Sequence, residues 1–545
     1  MPPSDNSGRL VLDYHERTKH HRHRFARSAG YMDWDNQPDP FRTYSGTRSI
    51  PLPLVGSDPS LEYAALFQPA AGPPMPWELA PIGLLFELAM GLSAWKALAG
   101  QRWALRMNPS SGNLHPTEAH IIALGFRDLP DGLYHYHPLA HALEERARLS
   151  PAQASALAPH LGAPCGLVAL TSIFWREAWK YGERALRYCQ HDVGHALAAL
   201  RLAARILNWR LVRLAAADDD ISTALGLDRT PWPPQESEAP ALIATLLPAG
   251  DARPPQVFPA EAARILGTVE IMGRPNRLSP EHRDWDIIPQ TAAACCCPQE
   301  TVAPPPIETA PDTPIAGPPP AGLRAAAIIR QRRSAQAFDP QGQLDRDAFL
   351  GLLDRTRPRP AGPPFDALNG PARISLVLFV HRVRDVPPGL YAFIRHPSHL
   401  ADLRRATSSA FAWDCPESGF PLYLLEPGDV RAEAIDLSCR QEIGGFSCFS
   451  LGMLARFEAQ VRDTPWVYRE LFWEAGLIGQ VLYLEAEARG VRGTGIGCYF
   501  DDAVHERLGL QDHTWQSLYH FTVGVPIEDS RLQTLPPYFH RAPDR

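Results

Sequence analysis

Residues 330–340 read Arg-Gln-Arg-Arg-Ser-Ala-Gln-Ala-Phe-Asp-Pro, and they directly follow the helix-prone run 323–329. The Phe-Asp-Pro end stops a helix just beyond, because proline lacks the amide hydrogen that a helix needs. The pattern therefore places three arginines and a serine at one helix end. A guanidinium group matches a phosphate through two parallel hydrogen bonds, and a serine hydroxyl adds a third. Two interpretations stay open: a phosphate site and a solvated basic helix end.

The size and composition of the chain indicate a globular protein of two domains. A chain of 545 residues is too long for a single hydrophobic core. Its contents of 45% hydrophobic and 21% charged residues are ordinary for a globular protein. The net charge of −7 predicts no nucleic-acid or membrane partner. Glu87 and Lys96 interrupt the most apolar run, 82–98, so a core helix is expected there. Without an apolar leader, and with nine cysteines, the sequence predicts a cytoplasmic protein with reduced thiols.

Proline marks the predicted domain boundary. Many of the 56 prolines lie in residues 274–320, including the triplets 304–306 and 318–320. A proline-rich segment without helix or strand periodicity is typical of a linker. We therefore predict an N-terminal arm (1–45), a first domain (46–273), a linker (274–321) and a second domain (322–545).

A polar loop follows a helix predicted at about 79–99 in the first half. Residues 106–116 read Arg-Met-Asn-Pro-Ser-Ser-Gly-Asn-Leu-His-Pro. Small side chains let a flat ring approach the backbone, and an asparagine amide can pair with a ring carbonyl or nitrogen. Taken alone, the pattern favours a structural loop without a ligand-binding role.

Lys180 and Tyr181 stand just before a long helix predicted at about 184–208. A lysine can abstract a proton or lower the pKa of a neighbour, and a tyrosine can relay a proton. An amphipathic helix start with one exposed lysine and one packed tyrosine explains the same pattern. Both interpretations stay open.

The second half repeats the order of the first, which indicates an internal duplication. Pro-Pro-Gly-Leu-Tyr at 387–391 echoes Pro-Asp-Gly-Leu-Tyr at 130–134. A second long helix is predicted at about 468–489. The acidic helix starting at 501 and ending in Leu-Gly-Leu matches the one starting at 218.

The two repeats differ in a complementary way. Before its acidic helix the second half reads Gly-Thr-Gly-Ile-Gly-Cys (493–498), and aligned on Leu-Gly-Leu the first half has Val212 and Leu214 in place of Gly495 and Gly497. Conversely, the region near 362–365 lacks the serines and asparagine of the first half's loop. Each repeat thus holds part of one site, which an intramolecular two-fold interface would assemble.

These segments resemble the cofactor motifs of the nitroreductase family, whose enzymes carry FMN. The segment Arg-x-Ser-x-x-Ala-Phe-Asp at 332–339 looks like the family's flavin-phosphate motif, and Pro-Ser-Ser-x-Asn-x-x-Pro at 109–116 looks like its flavin-contacting loop. The Lys-Tyr pair resembles that of SagB-type dehydrogenases, flavin oxidases that aromatise azoline rings in modified peptides. The resemblance implies an α+β fold of two tandem nitroreductase-like domains that form an intramolecular pseudo-dimer.

The resemblance also implies the residues of the site. Gln336 and Asp529 depart from basic positions of the family pattern, and the symmetry-related second site is expected to be lost. The expected residues are Arg332, Arg333, Ser334, Gln336 and Arg531 around the phosphate, Gly495, Ile496, Gly497 and Cys498 along the ring edge, Pro109, Ser110, Ser111 and Asn113 from the other repeat, and Lys180 and Tyr181 for catalysis.

The expected function is that of an FMN-dependent oxidoreductase with one FMN per chain. Hydride would pass between flavin N5 and a small-molecule or peptide substrate, with NAD(P)H as a candidate electron donor. Two alternatives stay open: a non-catalytic flavin- or peptide-binding partner subunit of a modification complex, and a scaffold that has lost the cofactor. No metal is expected, because His20, His21 and His23 lack zinc-ligand spacing. Residues 295–297, three adjacent cysteines, are interpreted as incidental thiols.

Overall fold

The computed structural model describes residues 6–55, 59–249, 256–298, 316–368 and 370–541. Their strands, in chain order, are β1 (Tyr44–Ser45), β2 (Ser49–Pro51), β3 (Leu92–Leu98), β4 (Gln101–Arg106), β5 (Thr117–Leu124), β6 (Gly132–His137), β7 (Ala142–Arg148), β8 (Cys165–Ser172), β9 (Trp209–Leu214), β10 (Ala239–Pro248), β11 (Arg274–Pro275), β12 (Ile374–Val380), β13 (Gly389–Phe393), β14 (Leu422–Pro427), β15 (Phe449–Arg456), β16 (Arg492–Ile496), β17 (Trp515–Gly524) and β18 (Gln533–Leu535).

Helices cover both faces of the sheets. They are α1 (Ser7–Arg17), α2 (Leu79–Ala89), α3 (Pro151–Leu161), α4 (Phe174–Tyr181), α5 (Ala185–Ile206), α6 (Asp218–Leu225), α7 (Ala260–Leu266), α8 (Ile287–Ala294), α9 (Ala325–Gln331), α10 (Arg346–Arg355), α11 (Ser398–Ala406), α12 (Arg431–Leu437), α13 (Ile443–Phe446), α14 (Glu458–Asp463), α15 (Val467–Ala488) and α16 (Asp501–Leu508). None of these helices is long and apolar enough to cross a bilayer.

The two main sheets share one strand order, which confirms the predicted tandem α+β repeat. In the first half it is β7-β6-β5-β8-β10-β9, with β2 added beside β7. In the second half it is β14-β13-β12-β15-β17-β16, and the neighbours in both sheets are antiparallel. Even a turn is repeated: the Tyr134 hydroxyl donates to the Pro130 carbonyl at 2.6 Å, and the Tyr391 hydroxyl donates to the Pro387 carbonyl at 2.8 Å.

The two predicted long helices form the interface between the halves. Helices α5 and α15 have 22 residues each and are almost wholly buried. They meet at Gly194 and Gly476, where a Cβ would lie 2.2 Å from the Trp473 carbonyl oxygen and 2.3 Å from the His191 carbonyl oxygen, respectively. Glycine is required at both positions because backbone faces backbone there.

Reciprocal ion pairs show that this interface has approximate two-fold symmetry. Alignment of the first residues of α5 and α15 sets Arg187 against Arg469. Arg187 Nη1 lies 2.8 Å from Asp501, which begins α16, and Arg469 Nη2 lies 2.8 Å from Asp218, which begins α6. Each half thus binds the other through the same kind of contact, as expected for a fused dimer.

The helix predicted at 79–99 ends early. It stops at Ala89, and Leu92–Leu98 forms β3 instead, between β4 and β18. At Gly91 a Cβ would lie 2.7 Å from the Glu87 carbonyl oxygen, so only glycine permits this helix end. Because β18 comes from the far end of the chain, its pairing could not be seen in the local pattern.

The arm and part of the predicted linker fold onto the domains. Helix α1 packs against α14 and α8, and the His20 amide donates to Asp501 at 2.8 Å. Of the predicted linker, Arg274–Pro275 pairs with β1 and α8 follows, whereas residues 299–315 lie outside the described residues. Burial of the apolar side chains Leu278, Trp285 and Ile288 explains why this proline-containing stretch is not an open connection.

Candidate functional site

A cleft lies between the two halves and has two connected lobes. Pro109, Ser110 and Ser334 line both lobes, and each lobe has a volume of about 270 Å³. Together the lobes fall within the roughly 300–1,000 Å³ that is typical of cofactor sites. The basic lobe is lined by Lys96, Trp103, Leu105, Arg106, Asn108, Asn113, His115, Arg332, Arg333, Gln336, Arg492, Ile527, Glu528, Asp529 and Leu532. The tyrosine lobe is lined by Ser111, Gly112, Tyr181, Tyr188, Asp192, His195, Gln441, Tyr483, Thr494, Gly495, Ile496, Gly497, Cys498 and Tyr519.

The arginine-serine segment and the first-half loop meet in the basic lobe. Arg332 ends α9, and its Nη2 donates to the carbonyls of Arg106 at 3.0 Å and Met107 at 3.2 Å. Arg333 Nη2 donates to the Ser93 carbonyl at 2.9 Å. The segment from the second half is therefore bound directly to the loop from the first half.

The basic lobe contains three arginines without an ion pair among the described residues, beside two acids, Glu528 and Asp529, that are already paired with Arg492 and Arg531. Within the described residues, Arg106, Arg332 and Arg333 form no ion pair with a carboxylate, and the buried Nε atoms of Arg106 and Arg332 have no acceptor. Burial lowers the pKa of Arg332, and burial together with Arg332 lowers the pKa of Arg333 to about 10. Burial also lowers the pKa of Arg106 to about 10. This donor set fits an anion such as a phosphate, which would supply both the charge and the acceptors.

The Ser-Ser-Gly-Asn loop closes one side of the tyrosine lobe. The Ser111 amide and hydroxyl each donate to Asp192 Oδ1 at 3.1 Å. Gly112 has a φ of 59°, and a Cβ there would lie 2.7 Å from the Tyr181 hydroxyl oxygen and 3.1 Å from Lys180 Nζ. The predicted catalytic pair thus packs against the loop from its own half, at the wall of the cleft.

Asn113 already uses its side chain within the loop. Its Nδ2 donates to the Ala104 carbonyl at 2.9 Å, and its Oδ1 lies 3.0 Å from His115 Nε2. If Asn113 pairs with a flavin ring as predicted, its side chain must therefore give up one of these two contacts.

The glycine segment forms the opposite wall, and tyrosines fill the space that side chains would need there. A Cβ at Gly495 would lie 1.9 Å from the Tyr519 hydroxyl oxygen, and a Cβ at Gly497 would lie 2.1 Å from Cε1 of Tyr188. Ile496 and Cys498 also line this wall. Glycine thus permits aromatic rings to approach the backbone, which is the role that the sequence suggested for a flat ligand.

The tyrosine lobe contains five titratable residues that were not among the predicted ones: Tyr188, Asp192, His195, Tyr483 and Tyr519. Tyr483 links two predicted segments, because its hydroxyl lies 3.0 Å from Ser334 Oγ and accepts from the Gly495 amide at 3.0 Å. Four of the five lie on α5 or α15. The available signal was a polar residue in an otherwise apolar helix, which acquires meaning only once the helices are packed.

Two buried acids stand beside this lobe. Burial raises the pKa of Asp192 to about 7, and the hydrogen bonds from Ser110 and Ser111 offset only part of that effect. Burial and then Asp192 raise the pKa of Glu177, whose carboxylate oxygens have no hydrogen-bond partner within the described residues. Asp192 can therefore exchange a proton near neutral pH.

Two predicted residues line neither lobe of the cleft: Lys180, which packs against Gly112, and Arg531, which lies at the surface. The Arg531 side chain is 77% exposed, and its guanidinium donates to Asp529 at 2.8 and 2.9 Å. Gln336 does line the basic lobe. Asp529, two residues away, holds Arg531 at the surface.

A cavity of about 300 Å³ remains at the symmetry-related position, where the sequence predicted loss of the site. It lies beside Val212 and Leu214, and we call it the counterpart cavity; its lining includes Arg213, Asp218, Cys297, Arg373, Trp466, Arg469, Glu470 and Trp473. The amide of Cys297 donates to Asp218 at 2.7 Å, so the end of the described linker segment packs into this region.

One cluster in the described part of the chain has metal-ligand spacing. It consists of Glu16, His21 and Asp502. Lys19 Nζ lies 2.7 Å from Glu16 and 2.8 Å from Asp502, so an ammonium group already neutralises both carboxylates.

Comparison with solved structures identifies the fold. The chain is similar to a nitroreductase-family protein from Anabaena variabilis ATCC 29413, with a TM-score of 0.70 and 22% identity over 95% of this chain and 99% of that one. Partial similarities include a nitroreductase-family protein from Ralstonia eutropha JMP134 (TM-score 0.28, 18% identity, 42% of this chain and 97% of that one) and a chain of the Escherichia coli microcin synthetase McbBCD complex with truncated pro-MccB17 bound (0.27, 18%, 45% and 94%). No protein-family model and no curated protein matches the sequence.

Proposed function

We propose that this chain, which has the nitroreductase fold in tandem, is an FMN-dependent oxidoreductase with a single cofactor site between its halves. The observation that carries the proposal is the direct contact of complementary segments in one cleft. Arg332 of the second half donates to the loop backbone at Arg106 and Met107 of the first half. Each segment is absent from the other repeat.

The basic lobe would hold the phosphate of FMN. Arg332, Arg333 and Ser334 are the proposed ligands there, and Pro109, Ser110, Ser111, Asn113 and the glycine segment would enclose the ring. FMN supplies hydride transfer between its N5 atom and a substrate carbon or NAD(P)H. Arg332 and Arg333 form no ion pair within the described residues, and Glu487 is the acid whose charge acts on both, so a phosphate dianion would add direct acceptors for these two guanidinium groups.

The chain itself would supply proton transfer. Burial and then Glu177 raise the pKa of Tyr181, so its hydroxyl keeps its proton and acts as a donor. Lys180 Nζ lies 5.2 Å from the centre of the Tyr181 ring, where its charge faces the aromatic system. We propose a dehydrogenase of SagB type in which Lys180 and Tyr181 move the proton while hydride leaves a small-molecule or peptide substrate.

Flavin stoichiometry tests the shared site. We expect one FMN per chain in the wild type and loss of FMN in both Arg332→Ala and Asn113→Ala, which change opposite halves. Arg213→Ala, in the counterpart cavity, is the matched control and keeps the cofactor. Two FMN per chain, or retention by either variant, would contradict the single composite site. A thermal melt of each variant separates loss of binding from loss of fold.

A second measurement tests catalysis. Lys180→Ala should remain yellow but lose turnover with NAD(P)H or a peptide donor. The cofactor should stay bound because the Lys180 ammonium group packs against the Ser-Ser-Gly-Asn loop and does not line the basic lobe. Unchanged rates would remove Lys180 from the mechanism. Bound flavin that no donor reduces, even in the wild type, would instead indicate a non-catalytic binding subunit.

A further inference from the structure

Two cysteines face each other at the edge of the tyrosine lobe. Cys498 ends the glycine segment and lines the lobe, and Cys439 lies in the turn after α12. Both thiols are partly exposed. The two thiols lie close enough for each to shift the pKa of the other.

The backbone sets this pairing. The Phe500 amide donates to the Leu437 carbonyl at 2.9 Å, so the end of α12 lies directly against the segment that follows the glycine segment. Cys439 follows Leu437 by two residues, and Cys498 precedes Phe500 by two. A disulfide needs Cα atoms about 4.4–6.8 Å apart, a range that two segments in direct backbone contact can reach.

The turn that carries Cys439 is fixed by a side chain. Gln441 Nε2 donates to the Cys498 carbonyl at 3.1 Å and to the Ser438 carbonyl at 2.9 Å. Cys439 has a φ of 52°, an unusual conformation for a residue with a side chain. Such strain, held by neighbouring contacts, is more common at functional positions than in ordinary turns.

The two thiols differ in their surroundings. Arg184 Nη2 donates to the Gly497 carbonyl at 3.2 Å, which brings its guanidinium beside Cys498. The neighbouring Cys439 thiol and the charge of Arg184 lower the pKa of Cys498, whereas the Cys498 thiol and burial raise the pKa of Cys439. Cys498 thus has the nucleophile's environment, and Cys439 has that of the resolving thiol.

We propose that Cys439 and Cys498 form a dithiol site that reacts with low-molecular-weight disulfides and closes into a reversible intramolecular disulfide. The Cys498 thiolate attacks one sulfur of the external disulfide, breaks its S–S bond and releases one thiolate, which takes a proton from water. Cys439 then gives its proton to solvent, attacks the Cys498 sulfur of the mixed disulfide and expels the second thiol. Two protein thiols are oxidised and one external disulfide is reduced.

The reaction joins the turn at residues 438–441 to the wall of the tyrosine lobe. It does not rest on the proposed flavin function, because it needs only the chain and the external disulfide. Its failure and the failure of FMN binding are therefore measured separately.

The test uses the full chain without added flavin and oxidised glutathione as the probe. We expect the wild type to lose two titratable thiols and to yield a cross-linked peptide containing Cys439 and Cys498, before exposed Cys296 and Cys415 react. Reduction with dithiothreitol should restore both thiols. Modification of Cys296 or Cys415 first, with no such cross-linked peptide, would overturn the proposal.

Two variants separate the steps. Cys439→Ser should stop at one glutathione adduct on Cys498, because no thiol resolves the mixed disulfide. Cys498→Ser should leave Cys439 largely unmodified over the same time. Equal adduct formation on Cys439 and Cys498 in the single variants would contradict the assigned roles, and the serine substitution keeps the side chain nearly the same size.

Discussion

The cleft and the counterpart cavity occupy equivalent positions beside the crossing of α5 and α15, yet their charges are arranged in opposite ways. Glu470 bridges Arg213 and Arg373 in the counterpart cavity, with 2.7 Å to each. Burial opposes ionisation there, but the two arginines lower the pKa of Glu470 to about 2. In the basic lobe, Arg332 and Arg333 form no such ion pair among the described residues, and Glu487 acts on both only through its charge.

The counterpart cavity is about as large as one lobe of the cleft, so the presence of a cavity does not by itself distinguish the two positions. The difference is that the arginines of the counterpart cavity are ion-paired with Glu470, whereas Arg332 and Arg333 form no ion pair among the described residues. The same contrast holds along the paired helices. Alignment of their first residues sets Asp192 against Glu474. Glu474 is ion-paired with Arg395, whereas Asp192 accepts hydrogen bonds from serines and, in the described part of the chain, has no ion pair.

The largest expected effect comes from giving the cleft the side chains of the counterpart cavity. In the double variant Gly495→Val with Gly497→Leu, the new side chains collide with two tyrosines. The Cβ at position 495 would lie 1.9 Å from the Tyr519 hydroxyl oxygen, and the Cβ at position 497 would lie 2.1 Å from Cε1 of Tyr188. Overpacking costs about 1–3 kcal/mol per site, or about 2–6 kcal/mol for both, and because both sites line the cleft FMN affinity should fall about 30-fold or more. Fluorescence titration with FMN measures the change.

The reverse exchange is the control for that experiment. Val212→Gly with Leu214→Gly in the counterpart cavity should lower the free energy of unfolding, because two buried apolar side chains are lost. FMN affinity should be unchanged. Equal loss of affinity in both double variants would mean that the two positions are not functionally different.

A smaller effect is expected from removing one cation of the basic lobe. A charged hydrogen bond contributes about 1.5–3 kcal/mol, so Arg333→Gln should weaken FMN about 10- to 100-fold. Riboflavin lacks the phosphate, and its affinity should stay the same. The ratio of the two dissociation constants, measured by fluorescence titration, isolates the phosphate contribution.

Arg213→Gln provides the matched comparison. It leaves Glu470 paired with Arg373 and should not change the ratio of FMN to riboflavin affinity. If Arg333→Gln weakens both flavins equally, the basic lobe does not bind the phosphate.

The sequence predicted the features that local patterns determine. Both long helices, the acidic starts of α6 and α16 and the existence of a tandem α+β repeat follow from apolar periodicity and repeated turns, which depend on neighbouring residues. The structure also brings the segments around Arg332, Ser110 and Gly495 into one cleft, as the complementary repeats suggested.

Long-range contacts explain what the sequence did not reveal. Strand β3 pairs with the adjacent β4 along its length and with the distant β18 at three residues, and this pairing overrides the helical preference of residues 92–98. Asp192 and Tyr483 enter the site only through the crossing angle of two helices. Arg531 matched a motif position, but its near neighbour Asp529 competes for the guanidinium and holds it outside the cleft.

The smallest effect concerns the proton on Asp192. Its folded pKa of about 7 lies above the ordinary value of 3.8, so the folded state binds more protons than the unfolded state between these values. The contribution to stability is present at low pH and is lost as the pH rises through 7. From pH 6 to pH 8 the loss is about 1.4 kcal/mol, which Asp192→Asn should abolish when urea unfolding is measured at both values.

Glu474→Gln tests whether this pH dependence belongs to the cleft alone. Removal of the carboxylate leaves Arg395 buried without its acid, so the free energy of unfolding should fall at pH 6 and pH 8 alike. The difference between the two pH values should match that of the wild type. If instead Asp192→Asn keeps the wild-type difference, the proton is not on Asp192, and the two helices are electrostatically more alike than their ion pairs indicate.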